Sequence, residues 1–382
     1  MKNIARMLCA VLAIAMLLTG CTMPKINLPG TPDVAVTYGD QTISTGEYLA
    51  YLYMNFENVY YNYGLSSYAS YGIDPWTSEY AKIPYEQADG TTVQLDLETY
   101  VIRATEDAIK RNFVVEKIMK DNGLSVLEEE LKTAEKNLAD MPENYFLPLG
   151  ISDASYATAY KNLNLNEYST FMGLYGKNGP KAVADADVRK YFDTNYLSYK
   201  IITVSLTKTE SQSDGTSKTV ALTAAEKEAE LKKLQGYLAT CNEKGFEAAM
   251  DAYNKANATD KNAEIPASKD EDNRQNVDAT NLDEALAKAI RSVEVGKAKI
   301  VEYGGTEATA DKEATPNTTA ALIMRLDINK PDTLYTDSLE NILYSLKGEE
   351  FEKQVKDAMA ALTISFNEDV QKECSPKKFT EQ

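Results

Sequence analysis

The spacing of apolar residues predicts a largely helical first half of the chain. Ser44 and Glu47 have the spacing of a capping box, which opens a helix. The apolar residues that follow recur every three or four positions and predict one buried face: Leu49, Leu52, Phe56, Val59 and Tyr63. A longer apolar stripe predicts the longest helix over residues 95–122. Shorter helices are expected over residues 128–139, capped by Ser125, and over residues 153–162 and 165–175.

Alternation of apolar and polar residues predicts strands in two parts of the chain. Residues 34–43 alternate on both sides of Gly39-Asp40 and predict a small hairpin. After residue 183 the pattern predicts the following order: helix 187–195, strand 199–206, loop 211–218, a helix capped by Thr223, loop 254–281, helix 282–292, paired strands 298–303 and 321–327, helix 337–362, and strand 363–366. Helices and short strands in this order predict an α+β fold.

Aromatic residues crowd the stretch that follows the first helix. Glycines and Pro75 interrupt this stretch and predict an irregular loop. Tyrosine combines apolar area with a polar tip, so a dense group of rings is suited to binding polypeptides or sugars. The candidate polypeptide- or sugar-binding residues are Tyr60, Tyr61, Tyr63, Tyr68, Tyr71 and Trp76. The alternative is that these rings pack the loop onto its own domain.

The amino terminus has the pattern of an export signal. Lys2 and Arg6 precede a short apolar run, and Leu18-Thr-Gly-Cys21 closes it. This pattern resembles a bacterial lipoprotein signal, in which cleavage before Cys21 frees a thiol for a diacylglyceryl group. We therefore expect a signal peptide over residues 1–20, a lipidated tether over residues 21–33, and a position on the extracytoplasmic face of the bacterial cell membrane. An ordinary secretory signal is the alternative.

Charge and composition exclude several functions. The formal net charge is −18, which argues against a nucleic-acid partner and leaves the lipid as the sole expected membrane contact. No histidine is present, so Ser-His-Asp and Cys-His triads and His-ligated zinc sites are excluded. No C-x-x-C spacing occurs, and no metal or cofactor is expected. Carboxylate catalysis and a disulfide between Cys241 and Cys374 stay open.

Six segments resemble the PrsA/SurA class of extracytoplasmic foldases, in which a parvulin-type prolyl isomerase module interrupts a helical chaperone domain. The segments share the apolar spacing and the glycine, acidic and aromatic positions of the family's motifs: VTYGDQTIS at 36–44, GLSVLEEE at 123–130, VADADVRKYFDTNY at 183–196, GFEA at 245–248, LDEALAKAIRSVEVG at 282–296 and ALIMRLD at 321–327. The resemblance implies a chaperone domain over residues 34–182, a degenerate parvulin-like module over residues 183–328, and a return to the chaperone domain over residues 329–382.

The module departs from the family where catalysis is concerned. The family's two strand histidines would fall near Thr203 and Leu322, and the polar stretch 254–281 replaces its glycine-rich turn. Prolyl isomerases hold a twisted imide in a shaped, hydrogen-bonding pocket, so the resemblance implies weak or no turnover and no catalytic residue. We expect a lipid-anchored holdase or foldase for unfolded or newly exported polypeptides. An active isomerase with a rebuilt pocket and a non-enzymatic glycan- or ligand-binding lipoprotein are the alternatives.

Overall fold

The protein divides into two compact units. A computed structural model describes residues 32–87, 90–212, 216–260, 265–306, 314–330 and 333–380. The first unit comprises the described residues up to Ala182 and those from Ser345 onward, and the second comprises Val183–Tyr344. Helices and small antiparallel sheets occur together. The α+β fold class predicted from the sequence is confirmed.

The chain up to Ala182 is mainly helical. Its strands are β1 (Val34–Tyr38), β2 (Gln41–Ser44), β3 (Ile83–Glu86) and β4 (Thr92–Leu95). Its α-helices are α1 (Thr45–Asn62), α2 (Leu97–Asp121), α3 (Glu128–Ala139), α4 (Asp153–Asn164) and α5 (Asn166–Tyr175). Short 3-10 helices lie at Leu65–Tyr71, Glu79–Ala81 and Leu147–Leu149.

Strands and helices alternate through the rest of the chain. The strands are β5 (Tyr196–Ser205), β6 (Thr207–Ser211), β7 (Ser217–Ala221), β8 (Gln275–Asp278), β9 (Ala298–Tyr303), β10 (Thr319–Leu326) and β11 (Ser365–Phe366). The helices are α6 (Asp185–Asn195), α7 (Ala224–Lys244), α8 (Phe246–Asn257), α9 (Asp270–Asn273), α10 (Glu284–Arg291), α11 (Thr333–Asp337), α12 (Leu339–Ala360) and α13 (Glu368–Glu373). A 3-10 helix at Ala279–Asn281 precedes α10, and another at Pro376–Phe379 follows α13.

Local signals fix the start of the first unit. Gly39 adopts φ +60° in the turn between β1 and β2, and glycine takes this left-handed conformation without a steric penalty. The Glu47 N–H donates to the Ser44 hydroxyl over 3.2 Å, while the Ser44 N–H donates to the Glu47 carboxylate over 2.8 Å. The predicted hairpin and capping box are therefore both confirmed.

The carboxyl-terminal segment completes the first unit. Strand β11 pairs with β1, placing Phe366 opposite Val36, so the three-stranded sheet has the order β11-β1-β2. Helix α12 contributes Phe351, whose ring centroid lies 5.5 Å from that of Phe171 on α5. The main core of this unit draws on residues far apart in the chain, among them Val36, Leu52, Phe56, Ile109, Phe113 and Val370.

The second unit is built on a four-stranded antiparallel sheet with the order β8-β5-β10-β9. Helices α7 and α8 cover one face, where Ile202 and Leu322 pack with Leu234 and Phe246. Helix α10 covers the other face, where Ile290 joins a separate core. Tyr335 on α11 packs its ring 5.2 Å from Phe192 on α6, so the chain that follows β10 still contributes to this unit, which runs to Tyr344.

Two local predictions are wrong, and a third is corrected at its ends. Helix α3 begins at Glu128 after the N-cap residue Leu127 and has no side-chain cap, so Ser125 does not cap it. The Leu127 N–H donates over 3.1 Å to the Ser169 hydroxyl. The loop predicted over residues 211–218 connects two strands of a hairpin, and its ends belong to them, since Ser211 on β6 pairs with Ser217 on β7. The stretch 254–281 contains strand β8, which pairs with β5.

Candidate functional site

The six aromatic residues singled out from the sequence fall into two groups. Tyr60, Tyr68 and Trp76 are half-buried against the core of the first unit. The others are exposed: Tyr61 at 62%, Tyr63 at 49% and Tyr71 at 77% of their surface. Exposed tyrosine rings are the part of this set that a ligand can reach.

A continuous row of aromatic rings lies along one side of α1. Tyr53, Phe56 and Tyr60 are three and four residues apart, so they share a helix face. The Phe56 ring stacks 4.9 Å from Tyr60 and 5.7 Å from Trp76. We call the row the aromatic ridge and define it by these residues and the rings that join them: Tyr53, Phe56, Tyr60, Trp76, Phe146, Tyr156 and Phe379.

Distant segments supply the rings that extend the aromatic ridge. Phe379, near the carboxyl terminus, lies 5.6 Å from Phe56 and 5.3 Å from Tyr53 between ring centroids. The Trp76 indole N–H donates to the Thr380 hydroxyl over 3.0 Å. Because the carboxyl-terminal segment is anchored by both contacts, the aromatic ridge is held in one arrangement.

Two exposed tyrosines mark the ends of the aromatic ridge. Tyr61 contacts Tyr60 edge-on at 5.7 Å, and Tyr145, which is 58% exposed, contacts Phe146 edge-on at 4.9 Å. Tyr145 was not among the residues predicted from the sequence. In the sequence, Tyr145 belongs to the short apolar run of residues 145–147, which lies between Pro142 and Pro148 and has no helical spacing.

A shallow cavity of about 300 Å³ opens at the Tyr145 end. Asn144 adopts a left-handed φ of +58° beside it, and the Asn144 N–H donates to the Asp153 carboxylate over 3.0 Å. The cavity lining is apolar and aromatic apart from two carboxylates: Leu138, Ala139, Met141, Pro142, Glu143, Tyr145, Phe146, Asp153 and Tyr156. Its size and lining suit one apolar side chain of a polypeptide.

A hydrogen bond to Glu57 helps hold the Tyr53 ring in the aromatic ridge. The Tyr53 hydroxyl donates to the Glu57 carboxylate over 2.6 Å. Burial, followed by this hydrogen bond, raises the pKa of Tyr53. The phenol therefore stays protonated at neutral pH and presents a neutral surface.

The sheet of the second unit separates the two positions where the family histidines would fall. Thr203 on β5 lies opposite Ala321 on β10, and Leu322 is the next residue along. Since neighbouring residues of a strand point to opposite faces, Thr203 and Leu322 lie on different faces. Leu322 is fully buried in the core beneath α7 and α8. The register does not bring the two side chains together.

The remaining sequence candidates have simple outcomes. Cys21 lies outside the described residues. Cys241 and Cys374 are free and buried. Within the ranges that the structure describes, no three His, Cys, Asp or Glu side chains are grouped to hold a metal ion. No helix in those same ranges has the length and apolar character needed to cross a bilayer.

The chain resembles solved structures of one family. The structure of foldase protein PrsA from Lactococcus lactis shares 12% identity, covers 90% of this chain and 100% of its own, and gives a TM-score of 0.33. PrsA from Streptococcus pneumoniae shares 13% identity over 77% of this chain and 99% of its own, with a TM-score of 0.32. PrsA from Bacillus subtilis shares 16% identity over 72% and 90%, with a TM-score of 0.22. No protein-family profile and no curated protein sequence matches the chain.

Proposed function

We propose that the protein is a lipid-anchored, extracytoplasmic holdase for unfolded or newly exported polypeptides. The observation that carries the proposal is the aromatic ridge, with Tyr61 and Tyr145 exposed at its ends. Exposed aromatic groups of this kind are typical of surfaces that bind other chains. The motifs that resemble the PrsA/SurA class support the same function.

The exposed tyrosines Tyr61 and Tyr145 suit clients without a fixed sequence. Phe56 and Phe146 of the aromatic ridge are buried and support them. Rings lose little conformational entropy on binding, and they accept any apolar side chain. The cavity beside Tyr145 offers a place for one such side chain, and Glu143 and Asp153 at its rim favour a basic neighbour in the client. A net charge of −18 keeps copies of the chain apart.

The second unit is proposed to have weak or no prolyl isomerase activity. Leu322 offers no hydrogen bond and is enclosed by apolar side chains, while Thr203 lies on the opposite face of the sheet. A prolyl isomerase needs polar groups that converge on one imide. Anchoring through a lipid on Cys21 follows from the signal pattern and belongs to the same proposal, since two acyl chains give stable membrane attachment.

Aggregation of an unfolded client tests the holdase proposal. The protein should suppress light scattering by reduced, unfolded client at near-equimolar ratios. Replacing Tyr61 and Tyr145 together by serine should weaken this suppression about tenfold, which corresponds to about 1.4 kcal/mol of binding free energy. Both side chains are exposed, so the melting temperature should change little.

A matched variant and a second assay complete the test. Tyr344→Ser alters an exposed tyrosine of the second unit and should leave suppression unchanged. Prolyl isomerisation of a proline-containing tetrapeptide should proceed near the uncatalysed rate. Absence of suppression by the unaltered protein, combined with tight binding of a glycan, would replace the holdase proposal by the ligand-binding alternative.

A further inference from the structure

Strand β9 forms one edge of the sheet in the second unit, as far as the structure describes the chain. It pairs with β10 alone among the described strands. An edge strand carries a row of N–H and C=O groups that can pair with another extended chain.

The register shows which residues of β9 face outward. On a central antiparallel strand, successive residues bond alternately to the two neighbouring strands. The Arg325 N–H donates to the Lys297 carbonyl over 3.1 Å. Counting from Arg325, odd-numbered residues of β10 bond β9 and even-numbered residues bond β5. Thr318, which precedes β10, bonds both neighbours, since its N–H donates to the Tyr303 carbonyl over 3.1 Å and its carbonyl accepts from Leu206 over 2.8 Å.

The same alternation applies to β9. Ile323 lies opposite Lys299, and Ala321 lies opposite Val301. Lys299 and Val301 therefore direct their backbone groups toward β10. The intervening Ile300, with Ala298 and Glu302 on either side, directs its N–H and C=O away from the sheet.

A groove of about 920 Å³ follows this edge. One wall is an unbroken run of chain from Lys299 to Thr306, and the opposite wall is formed by Ala285, Lys288, Ala289 and Ser292 on and just beyond α10. Six residues of strand span about 20 Å. The groove thus runs beside residues 299–303 of β9 and continues past the end of the strand, where Ala314, Thr315, Pro316 and Asn317 also line it.

The charge of the groove differs from that of the whole chain. Lys227, Lys288 and Lys299 line it, whereas Glu302 is the one carboxylate among its described lining residues. Lys227 pairs with Glu302 over 2.7 Å. Among the described lining residues lysines therefore outnumber carboxylates, and Lys299 is the lysine that lies on β9 itself.

We propose that an extended client segment carrying carboxylate side chains adds to the sheet as a fifth strand along the outer edge of β9. This proposal rests on the proposed holdase function and specifies one class of client. The outward backbone groups of Ile300 favour a strand, and Lys299 beside them favours an acidic one. A second copy of this chain fits less well, because two edges that each carry Lys299 would face each other.

Residue-resolved amide hydrogen exchange of the full chain tests the proposal. The probe is a short peptide of alternating valine and glutamate. Its addition should slow exchange at Ile300 and Glu302 by about tenfold or more, since both amides become hydrogen-bonded. Lys299 and Val301 are bonded to β10 already and should be protected with and without the peptide. Unchanged exchange at Ile300 and Glu302 would overturn the proposal.

Two variants separate strand addition from non-specific peptide binding. Ile300→Pro removes one outward N–H at an edge position, where proline is tolerated, and should weaken peptide binding about tenfold. Lys299→Glu keeps the strand intact and should reverse the preference between the glutamate peptide and its lysine counterpart. Equal binding of both peptides to the unaltered protein would contradict the role of the lysines.

The outcomes also separate this proposal from the holdase proposal. Protection at Ile300 that grows with protein concentration alone would indicate a second copy as the occupant and overturn the client assignment. Aggregation suppression without peptide binding would refute strand addition and leave the holdase proposal standing. Peptide binding without any aggregation suppression would refute the holdase proposal while retaining the groove as a peptide site.

Discussion

Lys181 and Lys347 converge on one aromatic ring, and each places its ammonium nitrogen 5.9 Å from the centroid of Tyr175. Lys181 also donates to the Gln354 side chain over 2.9 Å. These contacts lie within the first unit. The two chain segments on either side of residues 183–344 therefore meet at Tyr175, as expected if the second unit is an insertion.

We expect the first unit to fold without residues 183–344. A flexible linker of about six residues spans about 13 Å on average, and should be enough to join Ala182 to Ser345. Circular dichroism should show a helical protein with one cooperative thermal transition. A broad, non-cooperative melt would contradict the insertion.

Arg111 is expected to stabilise the first unit by joining three helices. On α2, its guanidinium donates to Glu167 on α5 over 2.8 Å and to Glu352 on α12 over 3.1 Å. Arg111→Ala leaves two carboxylates without their cation and should lower the free energy of unfolding by about 2 kcal/mol. Urea denaturation measures the loss. Arg103→Ala removes a more exposed arginine that forms, among the described residues, a single ion pair, with Glu106 over 3.2 Å, and should cost about 0.5 kcal/mol or less.

The Arg111 effect should depend on pH. Hydrogen bonding to Arg111 helps hold the pKa of Glu352 below its usual range. A lowered folded-state pKa gives stability that is present above the unfolded pKa of about 4.3 and is lost as the pH falls through the lowered value. The difference between the unaltered protein and Arg111→Ala should therefore shrink in acid. A constant difference from pH 7 to pH 3 would contradict this explanation.

Glu116 should destabilise the first unit at neutral pH. Burial raises the pKa of its carboxyl group, and Asn166 donates to that group over 3.3 Å. A raised folded-state pKa gives stability that is lost as the pH rises through it. Glu116→Gln should therefore melt at a higher temperature than the unaltered protein at pH 7, with the gain shrinking toward pH 4. The exposed Glu129→Gln should show no such trend, and a lower melting temperature for Glu116→Gln at pH 7 would refute the assignment.

Both described cysteines should resist thiol reagents in the folded protein. Burial raises the pKa of Cys374 to about 11 and also raises the pKa of Cys241, so little thiolate is present at neutral pH. In a chain that begins at residue 32, both thiols should react slowly when folded and rapidly in denaturant. A failure to react in denaturant without reductant would show that the two are paired.

Short-range chemistry made part of the fold predictable. The Gly39 turn and the Ser44–Glu47 capping box are formed by residues a few positions apart, and the structure contains both. The sequence does not indicate strand β8, because Gln275–Asp278 is short and polar and Val277 is its one apolar residue, packed against the core. Pairing with the distant strand β5 makes it a strand, and no local pattern contains that information.

The aromatic ridge was predictable only in part. Tyr60 and Trp76 were identified because aromatic residues cluster in that stretch of sequence. Phe146 and Phe379 were missed, because they reach Tyr53 through tertiary packing from distant segments. The separation of Thr203 from Leu322 also depends on a one-residue difference in register, and strand alternation makes that difference decisive.

Fluorescence of Trp76 tests the central claim most directly. Trp76 is the single tryptophan of the chain, and its ring stacks on Phe56 within the aromatic ridge. Titration with an unfolded, tryptophan-free client should shift or quench its emission in a saturable way, at the concentrations that suppress aggregation. The same client in its folded state should cause no change. Full aggregation suppression with unaltered Trp76 emission would contradict the claim that clients bind the aromatic ridge.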